Sequence, residues 1–226
     1  MYSTFFHVIM YKESDDIMKI NKPKISNIIE KTILEALEEN DFNNYSFNNN
    51  IDTKIIIKDI TIDSCVFENI DFTNIELNDV SLIDVIFDGC DLSNKCFDYK
   101  MLSRVVFKNC KMTGCSFIES SLKDIVIEDC ISTYLNFSNS KINSINVINS
   151  VLDESSFNEV SIKNIEFENV NLSKCEFIKT KLDKVDLSNC NISGINFDMY
   201  SMKGIIVDSF QCRNLVGMLG VEVKDW

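Results

Sequence analysis

Every fifth residue of this chain is apolar over about two thirds of its length. Steps of five from Ile57 to Val207 visit 31 positions, and 30 of them are Leu, Ile, Val, Phe or Met; only Ser132 departs. The whole chain is 45% apolar, so composition alone does not produce this run. The period is neither 2 nor 3.6, which disfavours amphipathic strands and helices alike. No residue is inserted or deleted across the run. Such a fixed internal repeat predicts a solenoid, in which each unit buries its apolar positions only by stacking on its neighbours.

The repeats themselves have a recurring form. Cys90-Asp91-Leu92-Ser93-Asn94, Cys175-Glu176-Phe177-Ile178-Lys179, Val185-Asp186-Leu187-Ser188-Asn189 and Cys190-Asn191-Ile192-Ser193-Gly194 each place a small residue, then Asp, Asn or Glu, then a large apolar centre. In this the chain resembles the pentapeptide repeat family over roughly residues 55–209. The resemblance implies an all-β solenoid, a right-handed quadrilateral β-helix of about eight coils, with four pentapeptides to a coil. Phenylalanine at 97, 117, 137, 157, 177 and 197 supports this independently, because residues 20 apart then fall in one column.

Other columns follow from the same spacing. Leu82, Leu102, Leu122, Ile142, Ile162, Leu182 and Met202 form a second line of centres. Two positions before a centre, broad residues run Val85, Val105, Ile125, Ile145, Ile165, Val185 and Ile205. Narrow ones run Cys90, Cys110, Cys130, Ser150, Val170 and Cys190 on the next face. Broad and narrow columns on adjacent faces fill the interior without overpacking. Two positions after a centre stand Asn69, Gly89, Asn109, Asp129, Asn149, Asn169 and Asn189, residue types that tolerate the left-handed backbone of a type II corner.

An open solenoid exposes apolar cross-sections at both ends, so caps are expected. The sequence divides into 1–54 (an N-terminal segment and a capping helix at about 27–40, leading into the first coil), 55–209 (the repeat β-helix) and 210–226 (a C-terminal capping helix and tail). Ile28, Ile29, Ile33, Ala36 and Leu37 share one face of the first helix, with Asn27 and Glu30 in a capping arrangement. Phe42 and Phe47 are already in the solenoid's register. At the other end Asp208 or Ser209 caps a helix from Phe210 to Leu219, and Gly220 stops it. Leu215, Met218, Leu219 and Trp226 are candidates for sealing the last coil or for a homodimer contact.

Candidate chemistry is sparse. Seven of the nine cysteines take the small inward position, where they read as buried small apolar residues in a reducing compartment rather than as disulfides. One histidine, His7, is too few for a usual zinc site, and no phosphate loop, nucleophile elbow or zinc-protease motif occurs. The expectation is a protein with no catalytic residues, no cofactor and no metal. The Met1–Tyr11 stretch is apolar but lacks a basic leader and cleavage site, and no transmembrane run is present, so a cytoplasmic location is expected.

What remains is surface. The net charge is −13. Residues 55–209 hold 24 acids and 14 bases, a difference of −10, which disfavours nucleic acid and anionic membrane and favours a basic protein partner. Glu68, Asp88 and Glu128 share an outward column. Val66, Ile86, Val106 and Val126 form an apolar stripe beside it, continued by Ile131 and Val151, and both are candidate interaction surfaces. Lys95 and Lys100 at inward sites, and Ser132 at a centre, break the pattern. The resemblance further implies two readings of function: a protein-interaction scaffold, or a loopless DNA mimic that binds DNA gyrase and modulates supercoiling or quinolone sensitivity. Eight coils at ~4.8 Å span ~38 Å. Duplex DNA of that length carries about 22 charges, so a net −10 is about half of a full mimic.

Overall fold

A computed structural model of the protein describes residues 20–218 and 220–224. The chain winds as a right-handed quadrilateral parallel β-helix of about eight turns, with two short helices. Ile29–Glu30 (β1) pairs with Tyr45–Phe47 (β2), and β2 pairs with Val66–Glu68 (β4). Ile55–Asp63 (β3) pairs with Ile75–Asp88 (β5), as does β4. The ladder then runs through Met101–Lys108 (β6), Ser121–Glu128 (β7), Lys141–Ile148 (β8) and Ser161–Glu168 (β9), always between residues 20 apart, as in Leu82↔Leu102↔Leu122. Glu176–Phe177 (β10) and Asn196–Phe197 (β11) pair on another side. Because the register equals the length of the coil, each centre side chain lies on its copy in the neighbouring coil.

Two phenylalanine stacks result. Phe47, Phe67, Phe87 and Phe107 stack at 4.9, 5.0 and 5.3 Å between ring centroids. Phe97, Phe117, Phe137, Phe157 and Phe177 stack at 5.2, 5.0, 4.8 and 4.7 Å. The stacks meet edge-on, as at Phe107 and Phe117 (6.4 Å). These spacings follow the ~4.8 Å rise between paired strands and suit ring contacts.

The corners are left-handed at Asn69, Gly89, Asn109, Asp129, Asn149 and Asn169, but not at Asn189. A Cβ on Gly89 would lie 2.4 Å from Asn69 Oδ1, so a side chain here requires the Asn69 amide to turn away. Other corners hold Arg104, Tyr134 and Lys174 in the same conformation, so the ladder imposes it on residues that do not favour it.

The first helix is shorter than 27–40. It spans Ile33–Glu39 (α1), and the capping box is Thr32 with Glu35, five residues downstream of the expected pair. Asn27 takes a left-handed turn instead, and Ile29 is exposed because its segment pairs as β1. Ladder hydrogen bonds displace helical ones there. Ile33 and Ala36 are the residues α1 buries.

The second helix spans Ser209–Met218 (α2), and Asp208 Oδ1 accepts the Phe210 and Gln211 N–H groups. Leu215 is buried and Met218 is largely exposed; Leu219, Trp226, His7 and Met1–Tyr11 lie outside the described residues. Among the described residues, no helix is long and apolar enough to cross a membrane.

Candidate functional site

The outward side chains alternate with the buried centres, so each flat face carries two columns of surface residues. On the face of β4 to β9 these are Val66, Ile86, Val106, Val126, Asn146 and Glu166, and Glu68, Asp88, Lys108, Glu128, Ile148 and Glu168. The apolar stripe is not an open surface. Val66, Val106 and Val126 are only 9%, 3% and 7% exposed, and Ile86 is half-buried. Close neighbours at the coil spacing hide much of each β-branched side chain.

A strap from the N-terminal side also runs along the corner next to the stripe. The Lys24 N–H donates to Asp84 Oδ1 (2.8 Å), Asn21 Nδ2 donates to Asp124 Oδ2 (3.0 Å), and Ser64 Oγ donates to Lys24 O (3.4 Å). Arg104 grips the same Asp84 through Nε (2.5 Å) and Nη2 (2.6 Å). Burial raises the Asp84 carboxyl, but the bonds from Arg104 and Lys24 outweigh it and hold the group below its ordinary value.

The acidic column is uneven. Glu68 and Glu168 are exposed, while Glu128 is held by Lys108 Nζ at 3.2 Å and Asp88 accepts from Asn109 Nδ2 at 2.8 Å. Across one corner the adjoining face presents Lys123, Lys141, Lys163 and Lys181, all exposed. Acids therefore predominate on one face and lysines on the next, with Lys108 standing among the acids and Asp63 and Asp183 among the lysines, where Asp183 lies 3.6 Å from Lys181.

The inward pattern breaks resolve without a change of backbone register. Cys96 and Met101 are exposed, so they do not replace Lys95 and Lys100 inside. The Lys100 ammonium reaches out to Asp79, as long amphipathic side chains do. Ser132 remains a centre residue, fully buried, with its hydroxyl unpartnered among the described residues.

The cysteines are more than small apolar fillers. All nine are free thiols. Cys110, Cys115, Cys130 and Cys175 donate to the carbonyls of Phe87, Leu92, Phe107 and Leu152, each 23 residues earlier. Ser120 and Thr180 repeat the bond toward Phe97 and Phe157. The sequence signal was present, since Ser and Thr take the same position of the pentapeptide as the cysteines, but it read as size alone.

Burial pushes the Cys65, Cys115 and Cys175 thiols from 9.0 up to about 12. The hydrogen bond to Cys110 and burial both raise Cys90 and Cys130. Between pH 9 and 12 such thiols ionise in the unfolded chain but stay protonated in the folded one. Their stabilisation is therefore complete below pH 9 and is lost as pH rises. At pH 10 each thiol is expected to have given up about 1.4 kcal/mol. Urea midpoints taken at pH 7, 9 and 10 check this: the fall above pH 9 becomes shallower in Cys115→Ala.

Among the described residues, no group of three His, Cys, Asp or Glu side chains gathers as a metal would require. A cleft of about 750 Å³ lies beside β9, lined by both charged and apolar side chains.

Two family models match the sequence. One, described as pentapeptide repeat region, covers residues 80–157; the other, pentapeptide repeats (8 copies), covers 62–94 and 161–198. A search of curated proteins finds no significant match. Similar solved structures include full-length QnrB1, a plasmid-mediated fluoroquinolone resistance protein, at 19% identity and a TM-score of 0.44, covering 79% of this chain and 89% of that one. HetL, a pentapeptide repeat protein involved in heterocyst differentiation regulation from Nostoc sp. strain PCC 7120, is 12% identical with a TM-score of 0.24, covering 78% and 96%. Rfr23 from the cyanobacterium Cyanothece 51142 is 18% identical with a TM-score of 0.27, covering 54% and 91%.

Proposed function

We propose, for a chain that belongs to the pentapeptide repeat family, that it is a non-catalytic protein-binding rod. Its partner presents a basic surface to the face carrying Glu68, Asp88 and Glu168. The observation that carries this reading is the bias of charge around one corner, with acids predominating on one face and Lys123, Lys141, Lys163 and Lys181 on the next. Two adjacent faces of opposite sign orient a charged partner and speed its encounter more than they add to its final affinity. Flat faces of short Ser, Thr and Asn side chains, as at Thr113, Thr133, Asn171 and Ser173, add room for close approach.

The test is capture from extract of the cells that make the protein, with the wild-type chain and Glu68→Lys/Glu168→Lys as parallel baits. A stoichiometric partner held by the first and lost by the second supports the reading. Identical recoveries on both baits contradict it.

A second reading has its own support. Glu68, Asp88, Glu128 and Glu168 lie on one line at multiples of the ~4.8 Å coil rise, against ~3.4 Å between phosphates along one DNA strand. A rod with such a line can act as a DNA mimic toward the DNA-binding surface of gyrase. Titration into a supercoiling reaction, with a fluoroquinolone arm, tests this. Inhibition or drug protection near equimolar dose favours the mimic, and no effect at large excess removes it for the gyrase used.

A further inference from the structure

Ion pairs on this rod mostly join neighbouring coils. Lys108 reaches Glu128, Lys111 reaches Asp91, Lys174 reaches Glu154 and Lys179 reaches Glu159, at 3.2, 3.0, 3.4 and 2.8 Å. The partners are 20 residues apart, so a lysine finds an acid where the stacked position holds one. Lys123, Lys141 and Lys163 differ. They stand on one face in three successive coils, all are exposed, and none makes an ion pair among the described residues. Lys141 is stacked between Ser121 and Ser161, and Lys123 lies between Ser103 and Asn143, which carry no charge. A chain with a net charge of −13 thus leaves three successive cations unmatched on one face. The lysines alternate between columns two residues apart and form a zigzag spanning two coil rises, ~10 Å.

The zigzag ends at the cleft of about 750 Å³ beside β9, which Lys163 lines. Asp183, next in the Lys163 column, lies across the cleft and 3.6 Å from Lys181. Ile162 and Ile165 also line the cleft and are only half-buried, whereas Ile142 and Ile145, one coil earlier, are fully buried. The opening therefore exposes apolar core side chains beside the last of the three lysines. Its volume admits one large apolar side chain with the backbone that carries it. Beyond the Asn164 corner the cleft is lined by Glu166, Glu168 and Asp186. These carboxylates repel an anion. The part of a ligand that enters the cleft is then uncharged, and its negative charges stay over Lys123, Lys141 and Lys163.

An extended peptide meets both demands. Its same-side side chains are ~6.7 Å apart, so acids at alternate residues cover the zigzag, and the next residue on that side reaches the cleft. Nucleic acid fits less well, because it carries a phosphate at every residue, including the one that would enter the cleft beside Glu168.

We propose that this face docks an extended acidic segment of a partner protein, with its carboxylates over Lys123, Lys141 and Lys163 and one large apolar side chain inserted in the cleft against Ile162 and Ile165. The surface lies apart from the acidic face assigned to a basic partner, and its test does not involve that partner.

The test is calorimetric titration of the full chain, at low salt, with an end-blocked peptide of three glutamates alternating with serines and a final leucine. Lys123→Ser/Lys141→Ser/Lys163→Ser removes only exposed side chains and is expected to bind this peptide at least tenfold more weakly. A peptide with serine in place of the leucine is expected to bind the wild-type chain at least fivefold more weakly, because nothing apolar then fills the cleft. A thymidine tetranucleotide, which also carries three negative charges, is expected to bind more weakly than the leucine peptide. No detectable binding of that peptide overturns the proposal, as does equal affinity for the wild type and the variant. Equal affinity of the two peptides overturns it too. So does a tetranucleotide that binds as tightly as the peptide, because the face then reads charge alone.

Discussion

Replacing Phe137 by alanine is expected to lower the free energy of unfolding by about 3–5 kcal/mol. The ring is 1% exposed and sits between Phe117 at 5.0 Å and Phe157 at 4.8 Å. Removing it leaves a cavity whose walls are themselves ladder-bonded and cannot collapse inward. Neighbouring rings also lose their stacking partner on both sides. Phe197→Ala is expected to cost distinctly less. That ring is only half-buried, stands near the end of the column, and is tilted 34° against Phe177 at 5.7 Å. Urea unfolding of the two variants beside the wild type checks the gradient. Equal losses at both positions would mean that ring burial does not set the stability of the stack.

The second large effect belongs to the C-terminal cap. Gln211 is buried, and its Nε2 donates to Leu187 O (2.8 Å) and Cys190 O (2.7 Å), while its Oε1 accepts the Asp208 N–H (2.9 Å). Leu187 O also accepts the Cys190 N–H at 3.0 Å, so the Gln211 amide is what matches Cys190 O at this end of the β-helix and adds a second donor to Leu187 O. Gln211→Ala is expected to cost about 1–3 kcal/mol, the penalty for stranding the buried Cys190 O acceptor. In a solenoid the loss is local, because each coil touches only its neighbours. Amide exchange at 185–197 should therefore accelerate strongly, with little change at 105–127. A uniform acceleration along the rod would contradict a local cap.

Much of this was legible in the order of residues, for a physical reason. A coil of constant length turns sequence spacing directly into spatial stacking, so Phe97 to Phe197 could be placed in a column before any coordinates. Position 90 and its copies were likewise recognisable as narrow and inward. Less legible was whatever depends on competition between neighbours. The sequence pointed to Asn27 as the cap, but the helix starts at Thr32 because β1 takes Ile29–Glu30 into the ladder. Val66, Val106 and Val126 read as an exposed stripe because burial on a flat face depends on what lies beside it. The hydrogen bonds of the cysteine column were hidden because spacing reports direction and size but not the carbonyl 23 residues back. The opening beside β9 leaves no mark at all in the period-five pattern, since Leu182 and Leu187 keep perfect register across it.

The charge-segregated face is the functional claim most open to direct attack. The decisive measurement is the dissociation constant of the captured partner for the wild-type chain and for Glu68→Lys/Glu168→Lys, each at 50 and 300 mM salt. Exposed charges interact across a Debye length that shrinks from ~14 to ~6 Å over this range. Binding to the wild type is expected to weaken at least tenfold with salt, and the variant is expected to bind weakly at both concentrations. A partner that binds both chains equally, with no dependence on salt, would contradict the account and place the binding surface on another face of the rod.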